Sequence, residues 1–308
     1  MVSLILMKKI CSMLLYSLFG AVLVRSGKLK VTDTRILSTV VLYLAAPCAI
    51  LNAFQVDVTP EVVSGLALAF GAALAVHVLF LVICPLLARI FHLSDVEELS
   101  LFYPNAGNII IPIVSSVLGP EWVIYTTGFI CVEAVFQWTH LLCRISGENK
   151  PDWKKILTNI NIIAIAGGLV LFLTGLRLPD VLQDAVSSTG ALLGPVSMLI
   201  AGMLLAEKSA KELRGYRRLP LIVLLRLIVV PLLILCAVKL SHAALLTPNG
   251  ETVLLVTMLA VSAPCASTVM QFCVMYGKSP DYAGAINIVS TLCCVASMPV
   301  MIALYQLW

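Results

Sequence analysis

Apolar runs long enough to cross a lipid bilayer follow one another along almost the whole chain. A hydrocarbon core about 30 Å thick requires roughly 20 residues of α-helix. Only 12% of the 308 residues are charged, about half the proportion found in soluble domains. These observations predict an all-α polytopic membrane protein and exclude a soluble enzyme, a disordered chain and a nucleic-acid-binding protein. Charged residues and Pro, Gly or Asn breaks divide the chain into ten predicted transmembrane helices, at 9–25, 33–54, 62–91, 97–118, 121–143, 155–176, 185–206, 218–240, 250–276 and 281–306.

The positions of Lys and Arg predict the orientation of these spans. One set of alternating loops carries 15 Lys and Arg residues, and the opposite set carries four. Because basic residues are enriched on the cytoplasmic side of membrane proteins, the first set is predicted to be cytoplasmic. We therefore expect a multi-pass protein of the cell (cytoplasmic) membrane, surrounded by the lipid bilayer, with both termini outside.

The longest polar break, at 144–155, divides the chain into two halves of five spans each. An odd number of spans per half places the two halves in opposite orientations, as in the inverted repeats of many transporters. The predicted organisation is a first five-helix repeat at 1–145, a cytoplasmic linker at 146–154 and a second five-helix repeat at 155–308. The two repeats are expected to form one membrane domain.

Polar segments that contain proline interrupt the fourth and the ninth predicted spans, which are equivalent in the two halves. The first segment lies at 103–112 around Pro104, and the second lies at 262–268 around Pro264. Proline removes a backbone N–H and clashes with the carbonyl four residues before it, so each helix should break there. Matching broken helices are typical of substrate sites in transporters. Ordinary kinks are the alternative explanation, because proline is common in membrane helices.

The same segments resemble the auxin efflux carrier family, which includes the plant PIN-type exporters and many bacterial permeases. The fourth-helix motif of that family is similar to Pro104-Asn105-Ala106-Gly107-Asn108 and its continuation to Pro112. A bacterial permease type fits best, because the long central loop of the plant proteins is lacking. Further similar segments cover essentially the whole chain: Leu44-Ala45-Ala46-Pro47, Leu118-Gly119, Gly194-Pro195, Gly202-Met203-Leu204-Leu205-Ala206, Arg226-Leu227, Pro231-Leu232, Ala263-Pro264-Cys265-Ala266, Tyr276-Gly277, Pro280-Asp281 and Met298-Pro299.

The resemblance implies a ten-helix carrier with a 5+5 inverted repeat, related in fold to the bile-acid sodium symporters. It implies that the fourth and ninth helices cross at Pro104 and Pro264, and that the crossing domain moves like an elevator against a scaffold domain. A substrate site lined by Asn105, Asn108 and Ser267 is also implied. The implied substrates are small organic anions or weak carboxylic acids.

Glu133 lies in the middle of the fifth predicted span, where an ionisable side chain is costly and therefore a candidate for function. Gln137 and His140 come after it on the same helix face. The resemblance places Glu133 where the PIN-type exporters have a Gln that helps to line the site. Glu133 with Gln137 could bind substrate, and Glu133 could couple transport to a proton or a cation. A structural hydrogen bond to a neighbouring helix is the equal alternative.

Two further ionisable residues lie inside predicted spans. His77 in the third span is a second candidate for coupling, with Glu133 or a backbone carbonyl as its expected partner. Arg226 in the eighth span is expected to extend its long side chain towards the cytoplasmic interface. A contact with an anion or an ion pair with Glu207 is the alternative for Arg226.

The sequence offers no arrangement typical of catalysis or metal binding. The four His residues form no HExxH motif, there is no GxSxG motif, and the ten Cys residues form no CxxC pair. We therefore expect neither enzymatic activity nor a cofactor or metal. The predicted function is secondary transport of small organic anions by alternating access. A sodium-coupled symporter of the same fold and a membrane-embedded sensor without net transport are the alternatives, and a homodimer is left open.

Overall fold

The structure, a computed structural model, describes residues 2–147, 154, 157–207 and 215–308. Within these ranges, the side chains of residues 2–11, 13, 14, 42, 107, 108, 116, 201, 204, 205, 207 and 274 are not described. The described part is all-helical and contains no β-strand beyond one isolated bridge. Its helices are α1 (Val2–Arg25), α2 (Val31–Ala53), α3 (Pro60–Phe91), α4 (Asp95–Phe102), α5 (Ala106–Val117), α6 (126–146), α7 (Ile160–Thr174), α8 (Asp180–Ala191), α9 (Leu193–Glu207), α10 (Leu219–Leu240), α11 (Gly250–Val261), α12 (Ser267–Tyr276) and α13 (Pro280–Leu307).

Four of these helices, α2, α3, α10 and α13, are long and apolar enough to cross a membrane. The longest, α3, has clear end signals: the Thr59 side chain accepts a hydrogen bond from the Val62 N–H, and His92 adopts the left-handed conformation after the last turn. The four helices coincide closely with the second, third, eighth and tenth predicted spans. The arrangement of ten spans as a 5+5 inverted repeat stays a prediction.

The two predicted interruptions are present as breaks between separate helices. The fourth predicted span is divided into α4 and α5, with Tyr103–Asn105 between them, and the ninth is divided into α11 and α12, with 262–266 between them. Tyr103 is extended, with φ −98° and ψ 110°, as expected for a residue that precedes proline. The prolines at Pro104 and Pro264 therefore end α4 and α11, and do not merely bend one continuous helix.

Two other predicted spans differ from the helices in the structure. The seventh span, predicted at 185–206 as one helix, is divided at Leu192 into α8 and α9. Pro195 explains this division, because its ring is incompatible with a regular hydrogen bond to the preceding turn. The sixth span, predicted at 155–176, is shorter: the Asn159 side chain accepts hydrogen bonds at the start of α7, and Gly175 ends it in the left-handed conformation.

Helices α1 and α9 pack in direct backbone contact through two glycines. A Cβ atom on Gly20 would overlap the Leu199 carbonyl, and a Cβ atom on Gly202 would overlap the Ser17 carbonyl. Small residues of this kind allow membrane helices to approach closely. Helix α9 also contacts α2 and α5, so this packing helps to set the position of the helices beside the two breaks.

A cluster of charged residues ties together the ends of four helices. The Arg144 side chain of α6 donates to the buried Glu98 carboxylate of α4 at 3.1 and 3.0 Å. The neighbouring Glu97, which is also buried, accepts a hydrogen bond of 2.7 Å from the Tyr282 hydroxyl of α13 and lies 3.6 Å from Arg218 before α10. These contacts fix the start of α4 relative to α6, α10 and α13.

The contact between α1 and α9 leads to a stability prediction. We expect Gly202→Ala to lower the free energy of unfolding by about 1–3 kcal/mol, because the added methyl group must push two backbones apart. The measurement is thermal unfolding of the purified protein in detergent. Gly71→Ala is the matched control, since a Cβ atom there meets nothing within 4 Å, and its unfolding temperature should not fall. Equal unfolding temperatures for the two variants would contradict the packing.

Candidate functional site: the helix crossover

The two breaks meet each other and are joined by backbone hydrogen bonds. The Asn105 N–H donates to the Pro264 carbonyl at 2.7 Å, and the Ala266 N–H donates to the Tyr103 carbonyl at 2.9 Å. These bonds form an isolated antiparallel bridge that pairs Pro104 with Cys265. Backbone groups that have no partner within their own helix at the two breaks thus bond to each other. In an apolar environment, such groups must form hydrogen bonds within the protein. We call the joined segments 103–105 and 262–266 the crossover.

Helix α13 holds the second segment of the crossover from one side. The Ser290 hydroxyl accepts a hydrogen bond of 3.1 Å from the Cys265 N–H, and the Asn287 amide donates at 2.6 Å to the Cys265 carbonyl. Ser290 is fully buried and Asn287 nearly so. Both backbone groups of Cys265 are therefore bound by side chains of one helix, which fixes the crossover relative to α13.

Arg226 binds the carbonyl ends of both interrupted helices. Its guanidinium donates to the Leu101 carbonyl of α4 at 3.1 Å, to the Val261 carbonyl of α11 at 2.8 Å and to the Ala263 carbonyl at 3.0 Å. The side chain is completely buried. The expectation that Arg226 extends to the interface is therefore wrong, because three carbonyls at the negative ends of two helices satisfy its charge within the protein. A π-helical turn, Leu225–Val229, carries this residue.

The starts of the two helices after the breaks border a small cavity that polar and apolar residues line together. Asn105 precedes α5 and Ser267 begins α12, and at neither start does the residue before the helix cap it with its side chain. Both residues line a cavity of about 160 Å³. The first N–H groups of a helix have no partner within the helix and carry partial positive charge. The described polar residues that line the cavity are Thr34, Ser38, Asn105, Ser197, Ser267, Gln271, Asn287 and Thr291.

The predicted site residues are brought together only in part. Asn105 and Ser267 line the cavity, and Pro104 and Pro264 form the crossover beside it. Asn108 lies in the first turn of α5, but its side chain is outside the described residues. The backbone geometry of the crossover and the position of Asn105 and Ser267 are therefore the part of the site that the structure assembles.

Glu133 and Gln137 do not line this cavity. Glu133 is buried in α6, and its Oε1 atom accepts a hydrogen bond of 3.2 Å from Gln137 Nε2. His77 does not pair with Glu133 among the described contacts: its Nδ1 atom lies 2.8 Å from the Ala73 carbonyl, and its ring packs 4.9 Å from that of Phe129, centroid to centroid. The backbone carbonyl was one of the two partners expected for His77. The roles of Glu133 and His77 in coupling stay predictions.

Tyr103 connects the crossover to α6. Its hydroxyl donates to the Phe136 carbonyl at 2.9 Å and lies 2.9 Å from His140 Nδ1. The Tyr103 side chain is buried, while its own carbonyl belongs to the crossover. From the sequence, His140 was placed only on the same helix face as Glu133. Its contact with Tyr103 shows that it supports the first segment of the crossover.

Sequence reasoning missed most of the residues that hold the crossover. It did not predict Tyr103, Asn287 or Ser290 as site residues. A usable signal was present, because Asn287 and Ser290 are polar residues three positions apart on one face of an apolar helix. Among the described residues, no group of three or more His, Cys, Asp or Glu side chains could hold a metal ion.

A family model described as membrane transport protein matches residues 5–152 and 149–302. The chain belongs to this family. The match supports the resemblance to the auxin efflux carriers, and it identifies the protein as a membrane transporter of a family that does not consist of enzymes. The apolar helices agree with a multi-pass membrane protein. No curated protein matches the chain.

The three hydrogen bonds of Arg226 lead to a second stability prediction. Arg226→Gln should lower the free energy of unfolding by about 3 kcal/mol or more, because an amide cannot reach the carbonyls of both helices and leaves buried acceptors unpaired. Thermal unfolding in detergent measures the effect. Arg89→Gln, at an exposed position in the last turn of α3, is the control and should unfold like the unmodified protein. A similar small effect of both substitutions would contradict the role of Arg226.

Proposed function

We propose that the protein transports small organic anions, such as weak carboxylic acids, and binds them in the cavity beside the crossover. The observation that carries this proposal is the arrangement of four helix ends. Arg226 neutralises the two carbonyl ends, whereas Asn105 and Ser267, at the two N-terminal ends, line the cavity. The partial charge that the two helix starts bring to the cavity is therefore positive, which favours a carboxylate.

The lining of the cavity supports an anion of small size. Its described polar residues carry hydroxyl or amide side chains, and none of the described lining residues is Asp or Glu. Hydroxyl and amide groups can donate hydrogen bonds to a carboxylate without the electrostatic cost of a nearby negative charge. A volume of about 160 Å³ is below that of typical drug-sized pockets, about 300–1,000 Å³. A substrate with few non-hydrogen atoms fits this space.

Alternating access is proposed to occur along the boundary between two groups of helices. The crossover is bonded to α10 through Arg226 and to α13 through Asn287 and Ser290, so these elements can move as one body. The opposite wall of the cavity includes Ser38 of α2 and Ser197 of α9. An elevator-like displacement of the crossover body against α2 and α9 would carry the substrate along this boundary.

A second cavity supports movement along the same boundary. It has a volume of about 390 Å³ and is lined by the end of α2, the middle of α5 and the junction of α8 with α9. Between α5 and α9, a Cβ atom on Gly194 would lie 2.8 Å from Pro112 Cβ. Helices α5 and α9 would slide past each other at this tight contact. The larger cavity would hold the substrate after the displacement. The relation to the bile-acid symporter fold and the bacterial permease type belong to the same proposal.

Transport assays test this function directly. Proteoliposomes that contain the protein should accumulate small mono- or dicarboxylates, and Asn105→Ala should reduce kcat/KM about tenfold, as expected for one lost hydrogen bond to a charged group. Ser267→Ala should reduce it in the same direction. Ser64→Ala in α3 is the control, because its hydroxyl bonds only to its own helix at Glu61.

Two results would contradict the proposal. Full carboxylate flux in Asn105→Ala combined with Ser267→Ala would place the substrate elsewhere. Saturable binding of carboxylates without net flux, in vesicles of verified orientation and integrity, would favour the sensor instead.

Glu133 is proposed to couple transport to protons, because it is a buried carboxyl group whose charged neighbour is Arg226 on α10. Glu133→Gln keeps the size of the side chain and removes the titratable group. We expect this variant to lose the acceleration of uptake by an imposed pH gradient while it still binds carboxylate. The control is Glu121→Gln, which makes the same substitution at an exposed position before α6.

The same assay separates the coupling alternatives. Flux that depends on a sodium gradient and not on a pH gradient would identify the sodium-coupled symporter. Unchanged pH-driven uptake in Glu133→Gln would show that Glu133 has only a structural role.

A further inference from the structure

A long apolar groove runs along the surface between α10 and α13, away from the crossover cavity. Its volume is about 920 Å³, and Leu219, Val223, Leu227, Leu292 and Val300 belong to its lining. Small residues, including Ala296, widen the groove on the α13 side. The groove extends along α10 from Leu219 to Ile228, a length of about 14 Å at 1.5 Å per residue. Both helices are long enough to cross the membrane, so the groove lies along the bilayer.

The end of the groove at the start of α10 carries an unpaired positive charge. Tyr216 and Arg217 line this end. In the part of the chain that the structure describes, no carboxylate pairs with Arg217, which is exposed. The next residue, Arg218, is already engaged: it donates at 2.6 Å to the His92 carbonyl and lies 3.6 Å from Glu97. Among the described residues at this end, Arg217 is thus the cation that can bind a ligand of the groove.

The sequence beside this end is strongly basic. Residues 208–218 include five Lys and Arg residues and one acidic residue, directly before the span formed by α10. Clusters of four to eight basic residues at this position relative to a membrane helix attract anionic lipid headgroups. The positive-inside prediction places the same segment on the cytoplasmic side, where anionic lipids meet the protein.

We propose that the groove between α10 and α13 binds an anionic phospholipid, with an acyl chain along the apolar lining and the phosphate at Arg217. The elongated apolar lining would contact the acyl chain, and the cation at one end would bind the phosphate. The groove does not share residues with the crossover cavity. This proposal is therefore independent of the substrate that the protein transports.

Lipid retention by the purified protein tests the proposal. Native mass spectrometry in detergent, with added phosphatidylglycerol or phosphatidylcholine of the same acyl chains, counts the bound lipids. We expect one phosphatidylglycerol per chain to be retained preferentially. Arg217→Gln should weaken its binding about fivefold, the effect expected for one basic residue at a lipid surface. Ala296→Leu should reduce the retention of both lipids, because the larger side chain fills the groove.

Matched variants outside the groove serve as controls. Lys278→Gln removes an exposed basic residue before α13, and Ala75→Leu enlarges an exposed alanine on α3; both should retain lipid like the unmodified protein. Equal retention of the two lipids, or equal effects of Arg217→Gln and Lys278→Gln, would overturn the proposal. A dimer that Ala296→Leu dissociates would also overturn it, in favour of a second copy of the chain as the occupant.

Discussion

The bonds from one guanidinium to the carbonyl ends of two helices hold the crossover in place. Arg226 donates to Leu101, Val261 and Ala263, and it is completely buried. Burial of an unpaired charge would cost several kcal/mol, but here the charge meets two negative helix ends and three carbonyl acceptors. The carbonyls of Leu101 and Val261 in turn need this donor, because the N–H groups four residues after them, at Asn105 and Cys265, bond to the Pro264 carbonyl and the Ser290 hydroxyl instead. The buried arginine and the broken helices therefore stabilise each other.

This arrangement makes the two sides of the crossover electrically different. On the side of Arg226, the protein supplies its own counter-charge to the ends of α4 and α11. On the other side, the described residues that line the cavity at the starts of α5 and α12 include no Asp or Glu that could act as a counter-charge. A substrate anion would supply the counter-charge for the two helix starts, as Arg226 does for the two carbonyl ends. The chain belongs to a membrane transport family, and under the proposed function the transported anion would supply the missing negative charge at this site.

Features that arise from residues close together in the sequence could be predicted, whereas contacts between distant residues could not. The breaks at Pro104 and Pro264 were predictable, because the effect of proline on a helix acts within one turn. The partners of Arg226 were not, because Leu101 is 125 residues away in the sequence and an isolated arginine gives no signal of its partner. For the same reason, the contact of Tyr103 with His140 emerged only from the structure.

The contacts of α6 could not be predicted for a different reason. Helical periodicity places Glu133, Gln137 and His140 on one face, and this assumes a regular α-helix. The segment Gln137–Leu141 forms a π-helical turn, which inserts an additional residue and rotates the rest of the helix relative to its first part. Glu133 still reaches Gln137 before the turn, whereas His140, within it, contacts Tyr103. A pattern of spacing could not reveal this local change of period.

Helix α10 contributes residues both to the crossover contacts and to the groove between α10 and α13. Its π-helical turn carries Arg226, whose donors reach the crossover, while the adjacent Leu227 and Ile228 line the lipid groove. A ligand in the groove would therefore contact the same turn that fixes the ends of α4 and α11. Because Arg226 is bound by three carbonyls, a displacement of this turn has to move the crossover or break its hydrogen bonds. The bilayer would then influence the substrate site through one helix turn, without any contact between lipid and substrate.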